Sequence, residues 1–378
     1  MSTTLVQEIE KHARLGPWAL ESWLAEKQFP VVEGRTVTFV FRGRVDEVKL
    51  RHWIHGLATA LPFHNVPGTD LWFLAIDVPE GSRLEYKLEV VMRGEHRLVQ
   101  DPLNPNLASD PYGVNSVVYG TGYQVPEWSL PDPEARPGEI VEHEIVSHSL
   151  GTKKVQVYLP ARFRRTRRYP LLVVHDGPDY VRYAALKTSL DNLIHRLEIP
   201  SMVVALIQSQ DRLREYADDP RHADFLARDL VPQLESAFPL VGKPSARALA
   251  GASFGAVASL AAAWRYQGFF DRLMLQSGSF AFTDIGPHDR GPVFDPVVRF
   301  VNAFRRNPGK PAVHMYLSCG VYESLIYYNR SMVPLLERAG LDVKYSEAHD
   351  GHNWENWRDR LREGLSWLHP GPLWMVYE

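Results

Sequence analysis

One pentapeptide, Gly251-Ala252-Ser253-Phe254-Gly255, constrains the fold of this chain more than any other segment. The apolar run Ala248-Leu249-Ala250 precedes it, and an alanine-rich run of helical character follows it from Ala256 to Trp264. These residues predict a strand, a sharp turn and a helix. The two glycines allow strand and helix to pack closely where the turn crosses. Such a turn holds its serine in a strained backbone conformation with the hydroxyl exposed, as in the nucleophile elbow of a hydrolase.

Length and composition describe an ordinary globular protein with room for two domains. The 378 residues are 45% hydrophobic and 23% charged, and the net charge of −3 argues against nucleic acid or an anionic membrane as a partner. The one cysteine, Cys319, excludes an intrachain disulfide framework and fits a reducing compartment. Neither a signal-peptide pattern nor an apolar run of membrane-spanning length is visible. We therefore expect a cytoplasmic protein.

The chain changes its pattern twice. Residues 5–28 are predicted to be helical, and short runs rich in β-branched and aromatic residues between Thr36 and Tyr119 predict a β-sandwich. Several prolines and glycines mark residues 120–139 as a stiff linker. The predicted domains are therefore 1–119, comprising the helical segment and the β-sandwich, and 140–378, the catalytic domain.

From Ile140 onwards, apolar strand candidates alternate with helical stretches, and the seven candidates are residues 155–159, 171–174, 202–207, 246–250, 273–276, 315–318 and 343–346. This alternation predicts a mostly parallel sheet covered by helices on both faces, and ligands of such sheets bind outside the carboxyl ends of the strands. Ser253, the segment 175–180 and Glu323 each follow a candidate strand. Together with the turn at Ser253, the pattern predicts an α/β-hydrolase catalytic domain preceded by a smaller β-sandwich domain.

A serine hydroxyl needs a base to take its proton and an acid to orient that base. In α/β-hydrolases the chain order is serine, acid, histidine, and the histidine follows the last strand. Both His349 and His352 satisfy this order. We favour His352, because Gly351 permits a tight loop before it and a predicted helix begins directly after it.

The acid is predicted to be Glu323, because it follows the strand that ends near Gly320, where this fold presents its third catalytic residue. Asp342, Glu347 and Asp350 compete with it. Asp342 is expected at the start of the last strand, which is the wrong end of the sheet. Asp350 would more naturally bond the backbone of its own loop.

The developing oxyanion needs two fixed N–H donors. One is expected to be the backbone of Phe254, the residue after the nucleophile. The other should come from the loop that follows the strand Leu171–Val174. Pro178 has no N–H, so Gly177 and Asp179 are the two candidates.

No metal or organic cofactor is expected. His349, Asp350 and His352 could imitate a metal cluster, but they lie in a predicted loop and no distant cysteine supports them. Neither a P-loop nor a dinucleotide-binding glycine motif is present in the sequence.

Several motifs resemble the enterochelin esterase group of the esterase D-like family. They are Gly251–Leu260, Leu275-Gln276-Ser277-Gly278-Ser279-Phe280, Asp176-Gly177, Arg214-Glu215-Tyr216, Gly320-Val321-Tyr322-Glu323, Gly351-His352-Asn353-Trp354 with Trp357, and Asp101-Pro102-Leu103-Asn104-Pro105 with the segment from Asp110 to Val117. The resemblance covers roughly residues 20–368. It implies an immunoglobulin-like N-terminal domain, a Ser253–His352–Glu323 triad and no cofactor.

The resemblance also implies a small-molecule ester substrate of the siderophore or another hydroxy-acid type. It implies that Asp176, Tyr180, Arg214 and Trp354 contribute to substrate binding. Cations near these motifs are few, Arg212 and Arg214 among them, although an anionic ferric siderophore would use several. Three alternatives therefore stay open: feruloyl or acetyl esters of carbohydrates, acyl transfer by the same triad, and a non-catalytic binding protein on the same fold.

Overall fold

A computed structural model describes residues 4–372, so the outermost residues of the predicted ranges 1–119 and 140–378 lie outside it. The chain divides into two compact units. The smaller unit contains the residues up to Gln124 and two short segments of the later sequence, 320–324 and 348–353. The larger unit contains 125–319, 325–347 and the residues from 354 onwards.

The smaller unit begins with two helices, α1 (Thr4–Leu15) and α2 (Pro17–Ala25), which account for most of the range 5–28 that the sequence predicted to be helical. The helices are separated because Gly16 adopts a φ of 105°, which an α-helix cannot continue through. Their apolar faces pack against the strands that contain Val40 and Leu71, on the side away from the centre of the sandwich. This helix cluster consists chiefly of Leu5, Ile9, Leu20, Trp23, Val40 and Leu71.

The strands of the smaller unit form a β-sandwich, as predicted. They are β1 (Val31–Glu33), β2 (Thr36–Arg42), β3 (Glu47–His52), β4 (Ala60–Pro62), β5 (His64–Asn65), β6 (Leu71–Asp77), β7 (Arg83–Met92), β8 (Glu95–Val99), β9 (Leu107–Asp110) and β10 (Gly113–Tyr119). One sheet has the order β1-β2-β6-β5, and the other has the order β4-β3-β7-β10-β9 with β8 beside β7. Alternate residues of β2 and β7 meet between the sheets, where the rings of Phe39 and Tyr86 pack edge to face at 4.9 Å.

An eight-stranded sheet forms the centre of the larger unit. Its strands are β11 (Glu139–Ser147), β12 (Gly151–Leu159), β13 (Leu171–His175), β14 (Val203–Ile207), β15 (Arg247–Ala252), β16 (Arg272–Gln276), β17 (His314–Gly320) and β18 (Asp342–Ala348). Their order is β11-β12-β14-β13-β15-β16-β17-β18, with the parallel pairs running from β14 to β17. The sequence predicted all of these strands except β11.

Helices cover both faces of this sheet. They are α3 (Gly177–Tyr183), α4 (Leu186–His195), α5 (Arg212–Glu215), α6 (Pro220–Asp224), α7 (Val231–Ala237), α8 (Phe254–Arg265), α9 (Asp295–Arg306), α10 (Ile326–Arg338), α11 (Trp354–Asp359) and α12 (Leu361–Leu368). Successive residues of a strand face opposite sides of the sheet, and each side has its own hydrophobic core. Leu249 lies in one core, and its neighbours Ala248 and Ala250 lie in the other. Burial on both faces explains the continuous apolar runs that identified these strands. None of the helices in residues 4–372 combines the length and the hydrophobicity that a membrane span requires.

The boundary between the units falls between Gln124 and Val125, inside the predicted linker. Residues after this point are bound to the larger unit. Trp128 is buried, and the Asn192 side chain on α4 donates hydrogen bonds to the carbonyls of Trp128 and Leu130, each at 2.8 Å. Residues 125–139 of the predicted linker are therefore part of the larger unit.

Strand β15 and helix α8 cross with almost no space between their backbones. A Cβ atom placed on Gly251 would lie 2.5 Å from the carbonyl carbon and oxygen of Gly255. Real Cβ atoms do not approach backbone atoms this closely, so a side chain at position 251 would push strand and helix apart.

We therefore expect Gly251→Ala to lower the free energy of unfolding of the larger unit by about 3 kcal/mol, the upper end of the usual range for overpacking, because the atoms that it meets are backbone atoms. Urea unfolding followed by circular dichroism measures this loss. Gly268→Ala is the matched control: its Cβ would meet open space, and only the φ of +77° opposes it, at a cost of about 1–2 kcal/mol. Equal losses in the two variants would contradict the steric explanation.

Candidate active site

Ser253 occupies the sharp turn between β15 and α8. Its φ of 58° and ψ of −119° are strained for a residue with a side chain, and its N–H donates to the Gln276 carbonyl at 2.9 Å. The Ser253 hydroxyl oxygen lies 3.2 Å from that of Ser279, in the loop after the neighbouring strand β16. The predicted elbow is therefore present, bordered by the Ser277–Phe280 loop.

Glu323 and His352, the predicted acid and base, are brought together within the smaller unit. Glu323 Oε2 lies 2.7 Å from His352 Nδ1, and its Oε1 accepts a hydrogen bond from the Gly320 N–H at 2.8 Å. The carboxylate is almost fully buried, whereas the side chain of His352 is 38% exposed. A buried carboxylate thus fixes one ring nitrogen of an imidazole that solvent reaches.

The competing side chains bond to other partners. Asp342 pairs with His314 at 2.7 Å, Glu347 with Arg330 at 2.6 Å, and Asp350 with Arg83 at 3.4 Å. The ring of His349 contacts the Glu80 carbonyl at 3.1 Å. Across residues 4–372, no group of three or more histidine, cysteine, aspartate or glutamate side chains is arranged to hold a metal ion.

The loop of the predicted second oxyanion donor lies beside the elbow, because β13 and β15 are adjacent parallel strands. Asp176 follows β13 with a left-handed φ of 54°, and α3 begins at Gly177. A Cβ on Gly177 would lie 2.4 Å from the Cα of Leu206, so this close approach needs glycine. Helices α3 and α8 thus begin at neighbouring strand ends, and their first N–H groups lack partners within the helix.

Arg212 joins the two turns, a role that the sequence analysis did not assign to it. Its Nε donates to Asp176 at 2.8 Å and its guanidinium also contacts the Ala252 carbonyl at 3.3 Å. Burial raises the pKa of Asp176, and the nearby Arg212 charge opposes that rise. Arg214, the arginine predicted to bind substrate, is exposed two residues further along α5. Asp176 is therefore engaged in an ion pair within the protein.

Tyr180 and Trp354, which the resemblance implies for substrate binding, are both buried. Tyr180 is 1% exposed, and its hydroxyl donates to the Gln276 side chain at 2.8 Å. Its ring packs edge to face against Trp354 at 5.3 Å, and Trp354 is itself buried against Trp357. Both aromatic side chains belong to the core of the larger unit, because their apolar surfaces are covered by one another.

His175, at the end of β13, is a buried histidine that the sequence analysis did not single out. Its Nδ1 lies 3.1 Å from the Ala250 carbonyl, and its Nε2 lies 3.0 Å from Nε2 of His222. A carbonyl only accepts, so His175 donates through Nδ1 and His222 donates to His175 Nε2. Burial lowers the pKa of His175 to about 4, and burial also lowers the pKa of His222 well below its usual value, so both rings are neutral near pH 7.

This burial predicts acid sensitivity of the larger unit. The pKa of His175 is about 4 in the folded protein and near 6.5 in the unfolded chain. Between these values the unfolded chain binds a proton that the folded protein does not, so stability falls as the pH is lowered through this window. We expect His175→Gln to flatten this dependence by up to about 1.4 kcal/mol per pH unit, measured by urea unfolding at pH 7, 6 and 5.

Comparing the same two proteins at pH 8 separates the effect of protonation from lost packing. At that pH the imidazole is neutral in both states, so any difference reports the substitution alone. Stability curves that run parallel from pH 8 to pH 5 would contradict the assignment of a depressed pKa to His175.

Fold and elbow together define an α/β-hydrolase preceded by a β-sandwich. The family described as "Putative esterase" matches residues 147–368, more than half of the chain, so the protein belongs to this esterase family. Within it the chain is enterochelin esterase-like. It is 25% identical to the iron(III) enterobactin esterase of Escherichia coli O6:H1 over 328 residues, which are 79% of this chain and 80% of that relative.

Solved structures support the same fold. The ferric enterobactin esterase of Salmonella typhimurium is similar with a TM-score of 0.76 at 20% identity, covering 92% of this chain and 98% of that one. A ferulic acid esterase is similar with a TM-score of 0.52, covering 62% of this chain and 98% of its own. The enterobactin esterase therefore matches both units, whereas the second likeness covers less than two thirds of the chain.

Proposed function

We propose that this protein is a serine carboxylic ester hydrolase in which Ser253 is the nucleophile, His352 the general base and Glu323 the residue that orients the base. The strained φ of Ser253 at the start of α8 is the observation that carries the proposal. A serine is held in that conformation when its hydroxyl must project from a strand–helix turn. The order Ser253, Glu323, His352 along the chain supports the other two roles.

In the first step, Ser253 Oγ attacks the ester carbonyl carbon while His352 Nε2 takes the Oγ proton. The carbonyl oxygen becomes an oxyanion, which the N–H of Phe254 and that of Gly177 or Asp179 would stabilise. Collapse of the tetrahedral intermediate breaks the bond to the alcohol oxygen, which receives the proton from His352. The acyl group is then esterified to Ser253.

In the second step, His352 takes a proton from water, whose oxygen attacks the acyl carbon. The acid is released, and Ser253 Oγ recovers its proton from the imidazolium. Glu323 accepts from Nδ1 throughout, which leaves Nε2 as the basic nitrogen and stabilises the imidazolium that forms. If an alcohol takes the place of water, the same steps give acyl transfer.

We expect Ser253→Ala and His352→Ala to lower kcat on a nitrophenyl ester by at least about 10³-fold, because nucleophile and base act as a unit. Ser253→Ala should also lose covalent labelling by a fluorophosphonate. Glu323→Gln should be clearly impaired, since a neutral amide no longer stabilises the imidazolium. Mass spectrometry of the labelled peptide and steady-state kinetics measure these effects.

A second histidine–carboxylate pair gives the controls. His314 and Asp342 are also 2.7 Å apart, but they begin β17 and β18, whereas catalytic residues of this fold follow strands. His314→Ala and Asp342→Asn should retain activity, as should Ser189→Ala, which removes a buried hydroxyl from α4. Labelling of the Ser253→Ala variant at an undiminished rate would assign the nucleophile to another residue.

The proposed substrate is a small ester of the siderophore or another hydroxy-acid type. The support is the likeness to enterobactin esterases over most of both chains. A feruloyl or acetyl ester of a carbohydrate is the alternative, favoured by the likeness to a ferulic acid esterase. A cytoplasmic location, expected from the single cysteine, belongs to the same proposal.

A panel of purified substrates separates these classes. We expect kcat/KM for a catecholate trilactone to exceed that for a feruloyl ester by at least about tenfold, which corresponds to 1.4 kcal/mol of differential transition-state binding. Product formation is followed by chromatography, with the Ser253→Ala protein as the blank. The reverse preference would support the feruloyl alternative, and transfer to an added alcohol in preference to water would support an acyltransferase.

A further inference from the structure

The loops that carry the proposed acid and base are parts of the smaller unit. Segments 320–324 and 348–353 contain Glu323 and His352, and both group with the β-sandwich rather than with residues adjacent to them in sequence. The two segments are also bonded to one another, because Val321 N–H donates to the Ala348 carbonyl at 2.8 Å and Tyr322 N–H to the Asp350 carbonyl at 3.1 Å. The residues that hold these two loops in place are therefore expected in the β-sandwich.

Arg83, the first residue of β7, contacts the loop that carries His352 through both its backbone and its side chain. Its backbone N–H donates to the His349 carbonyl at 2.9 Å, and one terminal nitrogen lies 3.0 Å from the Asn353 amide oxygen and 3.4 Å from Asp350. The other terminal nitrogen pairs with Glu85 at 2.9 Å. The side chain is 1% exposed, so this arginine is a buried cation that contacts residues on both sides of His352.

The Asp350 carboxylate is the anion at the centre of this network. Its Oδ1 accepts from the Gly351 N–H and from the Asn353 amide, each at 2.7 Å, in addition to Arg83. Burial raises the pKa of Asp350 to about 6, and the Arg83 charge opposes that rise. Removal of Arg83 would leave a buried carboxylate without its cation, a situation that folded proteins avoid by rearrangement or protonation.

Tyr322 fixes the other loop to the same part of the sandwich. Its ring lies in the sandwich core, and its hydroxyl is 2.6 Å from that of Ser82, the residue before Arg83. Its carbonyl accepts from the His55 N–H at 2.8 Å. Glu323, the next residue, therefore starts from an anchored position, and adjacent sandwich residues, Ser82 and Arg83, hold the two loops.

The exposure of His352 gives this support a purpose. Burial alone does not fix a ring that is 38% exposed, so the position of the backbone on either side contributes to its orientation, together with the Glu323 bond. We propose that Arg83 is a positioning residue that holds the His352 loop in register with Glu323, so that the β-sandwich takes part in assembling the acid–base pair. This inference rests on the proposed function, because it assumes that His352 is the base.

Arg83→Gln tests the proposal in the full-length protein. We expect kcat on a nitrophenyl ester to fall about 10- to 100-fold per folded molecule with little change in KM, as small misplacements of catalytic groups do. The rate constant for labelling by a fluorophosphonate should fall in parallel, because it depends on activation of the serine. Arg83→Lys, which keeps the cation, should recover part of both rates.

Arg51→Gln is the matched control, because Arg51 lies on β3 of the same sandwich, is 40% exposed and pairs with Glu89 at 3.5 Å. It should leave both rates unchanged. If Arg83→Gln fails to fold by circular dichroism, Asn353→Ala, which removes contacts to Arg83 and Asp350 without removing a charge, takes its place with the same expectation. Folded Arg83→Gln or Asn353→Ala protein with wild-type kcat and labelling rate would overturn the proposal.

The His352→Ala variant separates failure of this inference from failure of the proposed function. An active His352→Ala protein would show that the base lies elsewhere. An inactive His352→Ala protein combined with a fully active, folded Arg83→Gln protein would leave the proposed triad standing and assign Arg83 to stability alone.

Discussion

The close crossing of β15 and α8 is the constraint from which the geometry of the larger unit follows. Because Gly251 and Gly255 have no side chains, the helix starts directly above the strand, and Ser253 is forced into a φ that few residues adopt. The same crossing brings α8 against His175 and Asp176: a Cβ on Gly255 would lie 3.1 Å from the Cβ of His175. This crossing thus positions both the elbow and the loop of the second proposed oxyanion donor. Arg212 then links the two turns through its contacts with Asp176 and the Ala252 carbonyl.

His175 and His352 have the same side chain, but their environments suit them to different roles. His175 follows a strand next to the elbow, but it is fully buried, is bonded through both ring nitrogens and has a pKa near 4. Such a ring cannot reach a substrate or accept its proton near neutral pH. His352 is bonded to a carboxylate through one nitrogen while its ring meets solvent. Exposure and the carboxylate partner therefore distinguish the proposed base from a structural histidine.

Much of the fold could be predicted because its signals are local. Continuous apolar runs marked the strands of the central sheet, and Gly251–Gly255 marked the elbow. Residues that act through distant partners could not be recognised in this way: Arg83 meets Asp350 across 267 positions of sequence, and nothing in its neighbourhood distinguishes it from a surface arginine. The resemblance implies substrate binding by Tyr180 and Trp354, but sequence gives no sign that their rings are buried against one another. Arg212 and Arg214 stand in one short helix, and only the structure distinguishes which of them meets Asp176.

The smaller unit is built from three separate stretches of the chain, which limits how domains can be exchanged between this protein and its relatives. The region shared with the esterase family runs from 147 to 368 and so includes the loops at 320–324 and 348–353, but their partners Ser82 and Arg83 lie outside it. A gene fusion cut at the family boundary would carry a buried tyrosine and a buried aspartate away from the residues that cover them. Exchange of the β-sandwich between relatives would therefore have to preserve a match between three separate stretches of sequence. The β-sandwich and the esterase-family region are contiguous blocks in the gene, but they are not interchangeable modules in the folded protein.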